Sequence, residues 1–236
     1  MDLSTYYTES DGTISVSREQ ASAFAKSVAG DFNPIHDIDA RRFLVPGDLL
    51  FSLLLNKIGL YRDTTVEFTG MVDENDALSL EHTPDNSALV EGEKTFLTAT
   101  HSGALEADSG VIDALTSAYV SYSGQTFPHI LVPLWGDHGV MVNPSRPMVM
   151  YRSMRLQLDR VDVQSVSLTA SGATLNVDGK KGAVVLSFEI NDQDGATIGK
   201  GEKHMLLSGL RAWDQDAVDG IVVAYDDAKR AWRAPA

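Results

Sequence analysis

Gly30-Asp31-Phe32-Asn33-Pro34-Ile35-His36 sets a carboxylate and an imidazole on either side of an Asn-Pro turn. A residue that precedes proline is pushed out of the helical region, so the chain must leave any upstream helix here. Such a helix is predicted over residues 17–29. Ser17 and Gln20 stand at capping-box spacing, and Ala21, Phe24, Ala25 and Val28 fall on one face. Gly-Asp and Asn-Pro are also ordinary loop dipeptides, so the flanks decide how the stretch reads. Downstream, residues 48–60 carry Leu49, Leu50, Leu53, Leu54, Leu55 and Ile58, too many apolar positions for one stripe. That pattern predicts a helix buried on most of its sides. Between an amphipathic helix and a buried one, Asp31 and His36 can point into a single cavity.

The heptad resembles the GDxNPxH signature of the MaoC-like hotdog family, the (R)-specific enoyl-CoA hydratases and their relatives. The resemblance implies that Asp31 and His36 form the catalytic pair and that Asn33 helps to orient them. The longer stretch from Phe24 through the heptad to Val45, Pro46, Gly47, Asp48, Leu49, Leu50 and Phe51 is also similar to a proteobacterial family of about this length, to which no activity attaches. Strand signals follow the buried helix. Residues 64–69 are β-rich, 73–76 form a polar turn, 77–81 resume alternation, and 87–102 and 110–123 read as two further strands.

The order helix, loop, buried helix, antiparallel strands fits a hotdog domain, and 236 residues fit two of them. The expectation is an α+β double hotdog, antiparallel sheets wrapped around a central helix. Residues 1–125 make the half that carries the motif, and residues 126–236 a degenerate half with a C-terminal helix. A shift towards Gly, Pro and aromatics around 121–133 sets the boundary. Strands are expected over 149–158, 163–170, 173–177, 183–191 and 197–208, and a helix over 214–233 with Val218, Ile221, Val222, Tyr225 and Ala228 on one face. The second half shows no GDxNPxH and no long apolar helix ahead of its strands. Double hydratases of the resembled family commonly carry the motif in the second half, which is a departure. The halves should pair into a pseudo-dimer, with a homodimer optional.

Adding water across an α,β-unsaturated thioester needs a base for water, an acid for the α-carbon and donors for the developing enolate oxygen. In the resembled hydratases the Asp and His act together on one face, and a backbone N–H at the start of the central helix binds the thioester oxygen. The matching position is Gly47, where a helix start leaves N–H groups unpaired and a glycine admits a carbonyl closely. The family has His-Gly where this chain has Pro46-Gly47, and the loop from His36 to Gly47 is shorter. Asp48 reads first as a first-turn acid complementing the helix dipole. Its functional alternative is to polarise water in a thioesterase-type hotdog site. A third reading is a non-catalytic acyl-thioester binding protein.

Nineteen basic against 33 acidic residues give a net charge of −14, which argues against nucleic acid. The expected partner, an acyl thioester on coenzyme A or an acyl carrier, is itself anionic where the carrier is coenzyme A. Arg41 and Arg42 are the candidate cations to receive it, although a solvated face explains them equally well. No apolar run spans a membrane, no signal-like segment opens the chain, and there is no cysteine, so a cytoplasmic protein is expected. His82, His101, His129 and His204 are scattered singly and no HExxH or GxSxG occurs, so neither a metal site nor a cofactor nor a serine hydrolase is expected. Gly136, Asp137, His138 and Gly139 read as a turn.

Overall fold

A computed structural model of the chain describes residues 1–106 and 108–233. Strands β1 (Thr8–Ser10) and β2 (Thr13–Ser15) lead to helix α1 (Arg18–Ala23), which runs on as a π-helical turn, Phe24–Ala29. Helix α2 (Gly47–Ile58) precedes strands β3 (Leu60–Phe68), β4 (Leu78–His82), β5 (Asn86–Glu91) and β6 (Lys94–Glu106). Helices α3 (Ser109–Gly124) and α4 (Leu131–Asp137) and strand β7 (Val140–Met141) follow. Strands β8 (Met148–Leu158), β9 (Val166–Asp178), β10 (Lys181–Asp192), β11 (Thr197–Ser208) and β12 (Arg211–Ala212) and helix α5 (Gln215–Ala231) complete the order.

Ten strands form one sheet in the order β1-β2-β4-β5-β6-β3-β8-β11-β10-β9, its pairs antiparallel. The early and late strands meet at β3 and β8, where Thr64 faces Leu156 and Val66 faces Met154. The two halves of the chain therefore share one continuous sheet, wrapped over α2 and α3, and the fold is an α+β double hotdog. The core explains why. In α2, Leu49, Leu50, Phe51, Leu53, Leu54 and Leu55 are all at most 2% exposed. Each such side chain contributes roughly 1.5–3 kcal/mol over remaining in water, which is what draws the sheet round the helix. Phe51 meets Tyr119 of α3 edge-on, with ring centroids 5.0 Å apart.

Three expectations need correcting. Residues 110–123 are not strands but most of α3, a sixteen-residue helix capped by Asp108. Its Tyr119 and Tyr122 pack on Phe188 of β10, so the late strands do have a buried helix ahead of them. Residues 87–102 are not one strand but belong to the β5–β6 hairpin. The pieces expected over 163–170 and 173–177 are the single strand β9, with a register shift opposite Ser187 and Phe188.

Candidate active site

The capping box at Ser17 forms as read: Ser17 Oγ accepts from the Gln20 N–H, and the Gln20 side chain accepts from the Ser17 N–H. The helix it starts widens into the π-helical turn, which closes on Gly30 in the left-handed region at φ 67°, a conformation that glycine adopts without steric cost. The Asp31 N–H then donates back to the Ala25 carbonyl at 2.8 Å. Asn33 caps a short 3-10 turn, Pro34–His36, its side-chain oxygen accepting from the Ile35 N–H at 3.2 Å.

This backbone brings the two candidate groups together. Asp31 Oδ1 accepts from the Asn33 N–H at 2.9 Å, while Oδ2 lies 3.8 Å from His36 Nε2. His36 is buried, 9% exposed. Its Nδ1 is 2.7 Å from the Leu44 carbonyl oxygen. A carbonyl only accepts, so Nδ1 carries the proton and, in the neutral ring, Nε2 turns its lone pair towards Asp31. The 3.8 Å gap is too long for a direct hydrogen bond and short enough for both atoms to touch one oxygen. Asn33 thus meets Asp31 through its backbone N–H, and its side chain serves the turn.

A groove of about 260 Å³ adjoins the motif at Gly30 and is lined also by Ser121, Gln125, His129, Tyr225 and Lys229. Tyr225 comes from α5. Its hydroxyl donates to the Gly30 carbonyl at 3.0 Å and accepts from the Phe32 N–H at 3.3 Å. Burial pushes the Tyr225 phenol up to about 12.

Gly47 opens α2, so its N–H has no partner inside the helix. A Cβ there would lie 2.9 Å from Tyr151 Cδ1 and 3.2 Å from Phe68 Cε1, so two aromatic rings press on this position. Asp48 is no plain solvent-facing cap. It is 9% exposed, its Oδ2 accepts from the Ser123 hydroxyl at 2.5 Å, and Lys203 Nζ lies 3.8 Å from Oδ1. Lys203 also donates to Ser123 Oγ and stands 4.3 Å from the centre of the Tyr151 ring. The Tyr119 and Tyr151 hydroxyls hydrogen-bond to each other. Burial, with the neighbouring Asp48 charge, holds both phenols well above their ordinary range.

Arg41 and Arg42 are exposed on the loop before α2, and Arg42 donates to Met71 Sδ at 3.2 Å. Two of the scattered histidines turn out to be neighbours, because Ser87 Oγ is 2.8 Å from His82 Nδ1 and 2.9 Å from His101 Nε2. Burial, then the nearby His82, lowers His101. His138 ends α4 with its Nδ1 2.9 Å from the Leu134 carbonyl. The sequence reading missed Ser123, Lys203 and the bridging role of Tyr225. Lys203 had a signal: it occupies the inward phase of β11 with Gly201, Met205 and Leu207.

A family model described as "Protein of unknown function (DUF3581)" matches residues 1–216. Among curated proteins none matches the chain by sequence. Similar solved structures include a hot dog fold protein from Alicyclobacillus acidocaldarius, at 11% identity over 88% of this chain and 97% of that one, with a TM-score of 0.46. An acyl-CoA thioesterase II from Mycobacterium marinum is 10% identical over 90% and 99%, with a TM-score of 0.43. A MaoC-like dehydratase is 11% identical over 86% and 98%, also with a TM-score of 0.43. Among the described residues no helix is long and apolar enough to cross a membrane.

Proposed function

We propose that this chain, which belongs to the family described as protein of unknown function (DUF3581), hydrates an enoyl thioester or dehydrates its 3-hydroxy counterpart, with Asp31 and His36 as the acid/base pair. The observation that carries the reading is the pair itself: Asp31 Oδ2 and His36 Nε2 stand 3.8 Å apart, with the other ring nitrogen, Nδ1, engaged by the Leu44 carbonyl so that Nε2 is the one on the carboxylate side. A water between them donates one O–H to each acceptor. Its oxygen adds to the β-carbon as the C=C π bond opens, and the proton it loses passes through the pair to the α-carbon on the same face. The C–O and C–H bonds formed balance the O–H and π bonds broken, and dehydration is the exact reverse. The N–H of Gly47, which has no partner inside α2, is the donor we assign to the enolate oxygen, and Arg41 and Arg42, close after the motif, are the cations we assign to an anionic carrier.

The thioesterase alternative is less well supported, because the Asp48 carboxylate is already engaged by Ser123 and faced by Lys203. A panel of trans-2-enoyl and saturated acyl thioesters, followed at the enoyl absorbance and for free thiol, separates the readings. Loss of enoyl absorbance without thiol release is expected, and Asp31→Asn should slow it by roughly 10²–10⁴-fold, the usual worth of a general acid or base. Thiol release abolished by Asp48→Asn and untouched by Asp31→Asn would establish the thioesterase instead. Binding of the panel with no turnover would leave a binding protein.

A further inference from the structure

Helix α5 buries only two of its side chains, Val218 and Tyr225. Tyr225 is wedged edge-on between Phe32, at 5.9 Å between ring centroids, and Phe127, at 4.9 Å. Its hydroxyl does not stop at this apolar contact. It donates to the carbonyl of Gly30 at 3.0 Å and accepts from the N–H of Phe32 at 3.3 Å, bridging the peptide groups on either side of Asp31. The Asp31 N–H is held separately, by the Ala25 carbonyl at 2.8 Å. One carboxylate oxygen is held by the Asn33 N–H at 2.9 Å. With the backbone fixed on both sides and Oδ1 tied, the direction left to Oδ2 is the one that faces His36.

We infer that Tyr225, carried on the C-terminal helix, is a positioning residue for Asp31, its hydroxyl bridge setting the backbone from which the carboxylate reaches the shared water. This rests on the Asp31–His36 reading of the site. A phenol suits the task because a single O–H both donates and accepts. It is also rigid, with few rotatable bonds to order. The device makes the motif depend on a helix far away in sequence, so that Asp31 is aligned only once α5 has docked.

Tyr225→Phe tests the inference, since it keeps the ring and its edge contacts and removes only the bridge. Val218→Ala is the control, since it loosens the docking of α5 at the other buried residue and leaves the bridge in place. With an enoyl thioester, Tyr225→Phe should lower kcat by on the order of ten- to a hundredfold with KM little changed, as a displaced catalytic group does. Val218→Ala should lower the melting temperature and leave kcat near wild type. Equal losses of kcat in the two variants, or none in Tyr225→Phe, would overturn the positioning role. A measurement independent of turnover stands beside this. Amide hydrogen exchange at Phe32 should speed up in Tyr225→Phe, and its crystal structure should show Asp31 Oδ2 turned away from His36. An unchanged Asp31–His36 geometry in that crystal sinks the inference even if no thioester is turned over. Failure of Asp31→Asn to affect turnover would instead sink the reading of the site, which tells the two failures apart.

Discussion

Asn33 acts over a short range: its side-chain oxygen caps the Ile35 N–H at 3.2 Å and its own N–H holds Asp31 Oδ1 at 2.9 Å. Asn33→Ala keeps the second bond and loses the first, so it should cost about 1 kcal/mol of stability, as lost caps do, and reduce turnover far less than Asp31→Asn. Urea unfolding beside kcat checks this, and a variant as inactive as Asp31→Asn would show that the Asn33 side chain touches the chemistry itself. Gly47→Ala is the opposite case, in which a good helix former is unwelcome. The new methyl would meet the Tyr151 and Phe68 rings at 2.9 and 3.2 Å, so overpacking should cost about 1–3 kcal/mol, visible as a lowered urea midpoint. The heptad was legible because each of its signals is local: a turn, a cap and two titratable groups. What holds the pair in place was not. The Leu44 carbonyl, which fixes the His36 tautomer, is an anonymous backbone group, and Tyr225 reads from sequence as one more residue on the apolar face of a helix.

The same contrast separates α2 from α3. Continuous leucines made α2 plain, whereas α3 is rich in β-branched and aromatic residues that favour strands, and residues 110–123 read that way. Its period was there to be counted: Val111, Ile112, Leu115, Thr116, Tyr119, Val120 and Ser123 are buried, following the turns of a helix with Asp108 as its cap. Burying that face brings Ser123 between Asp48 of α2 and Lys203 of β11, so three elements share one buried charge cluster. A buried pair is costly to break from one side, because the survivor is left charged and unpaired. Lys203→Met should therefore destabilise the protein by roughly 3–5 kcal/mol, and adding Asp48→Asn should restore much of the loss. Chemical denaturation of both single variants and the double variant measures the coupling. Additive losses would mean that Asp48 and Lys203 do not feel each other, and the cluster would then explain nothing about how α2, α3 and β11 are held in register.

Strand patterns announced an antiparallel architecture, but nothing in them said that β3 would pair with β8, because a strand's partner across a seam leaves no local mark. The seam draws Tyr151 of β8 towards Tyr119 of α3, and α5 closes over the motif through Tyr225, so three phenols lie where distant parts of the chain meet. Each is held above its ordinary range, chiefly by burial. For such groups the folded form binds its proton more tightly than the unfolded chain does. The stabilisation is fully present below the unfolded value and is lost as pH rises through the folded one. For Tyr225 the window runs from 10.0 to about 12, and at about 1.4 kcal/mol per pH unit the loss across it is about 2–3 kcal/mol. Tyr119 and Tyr151 add to the same slope. Urea midpoints measured at intervals above pH 9 should therefore fall steeply in the wild type and less steeply in Tyr225→Phe, the two curves converging as pH approaches 12. Curves that stay parallel would mean that Tyr225 ionises as freely in the folded protein as in the unfolded chain, and that α5 does not bury its hydroxyl against the motif.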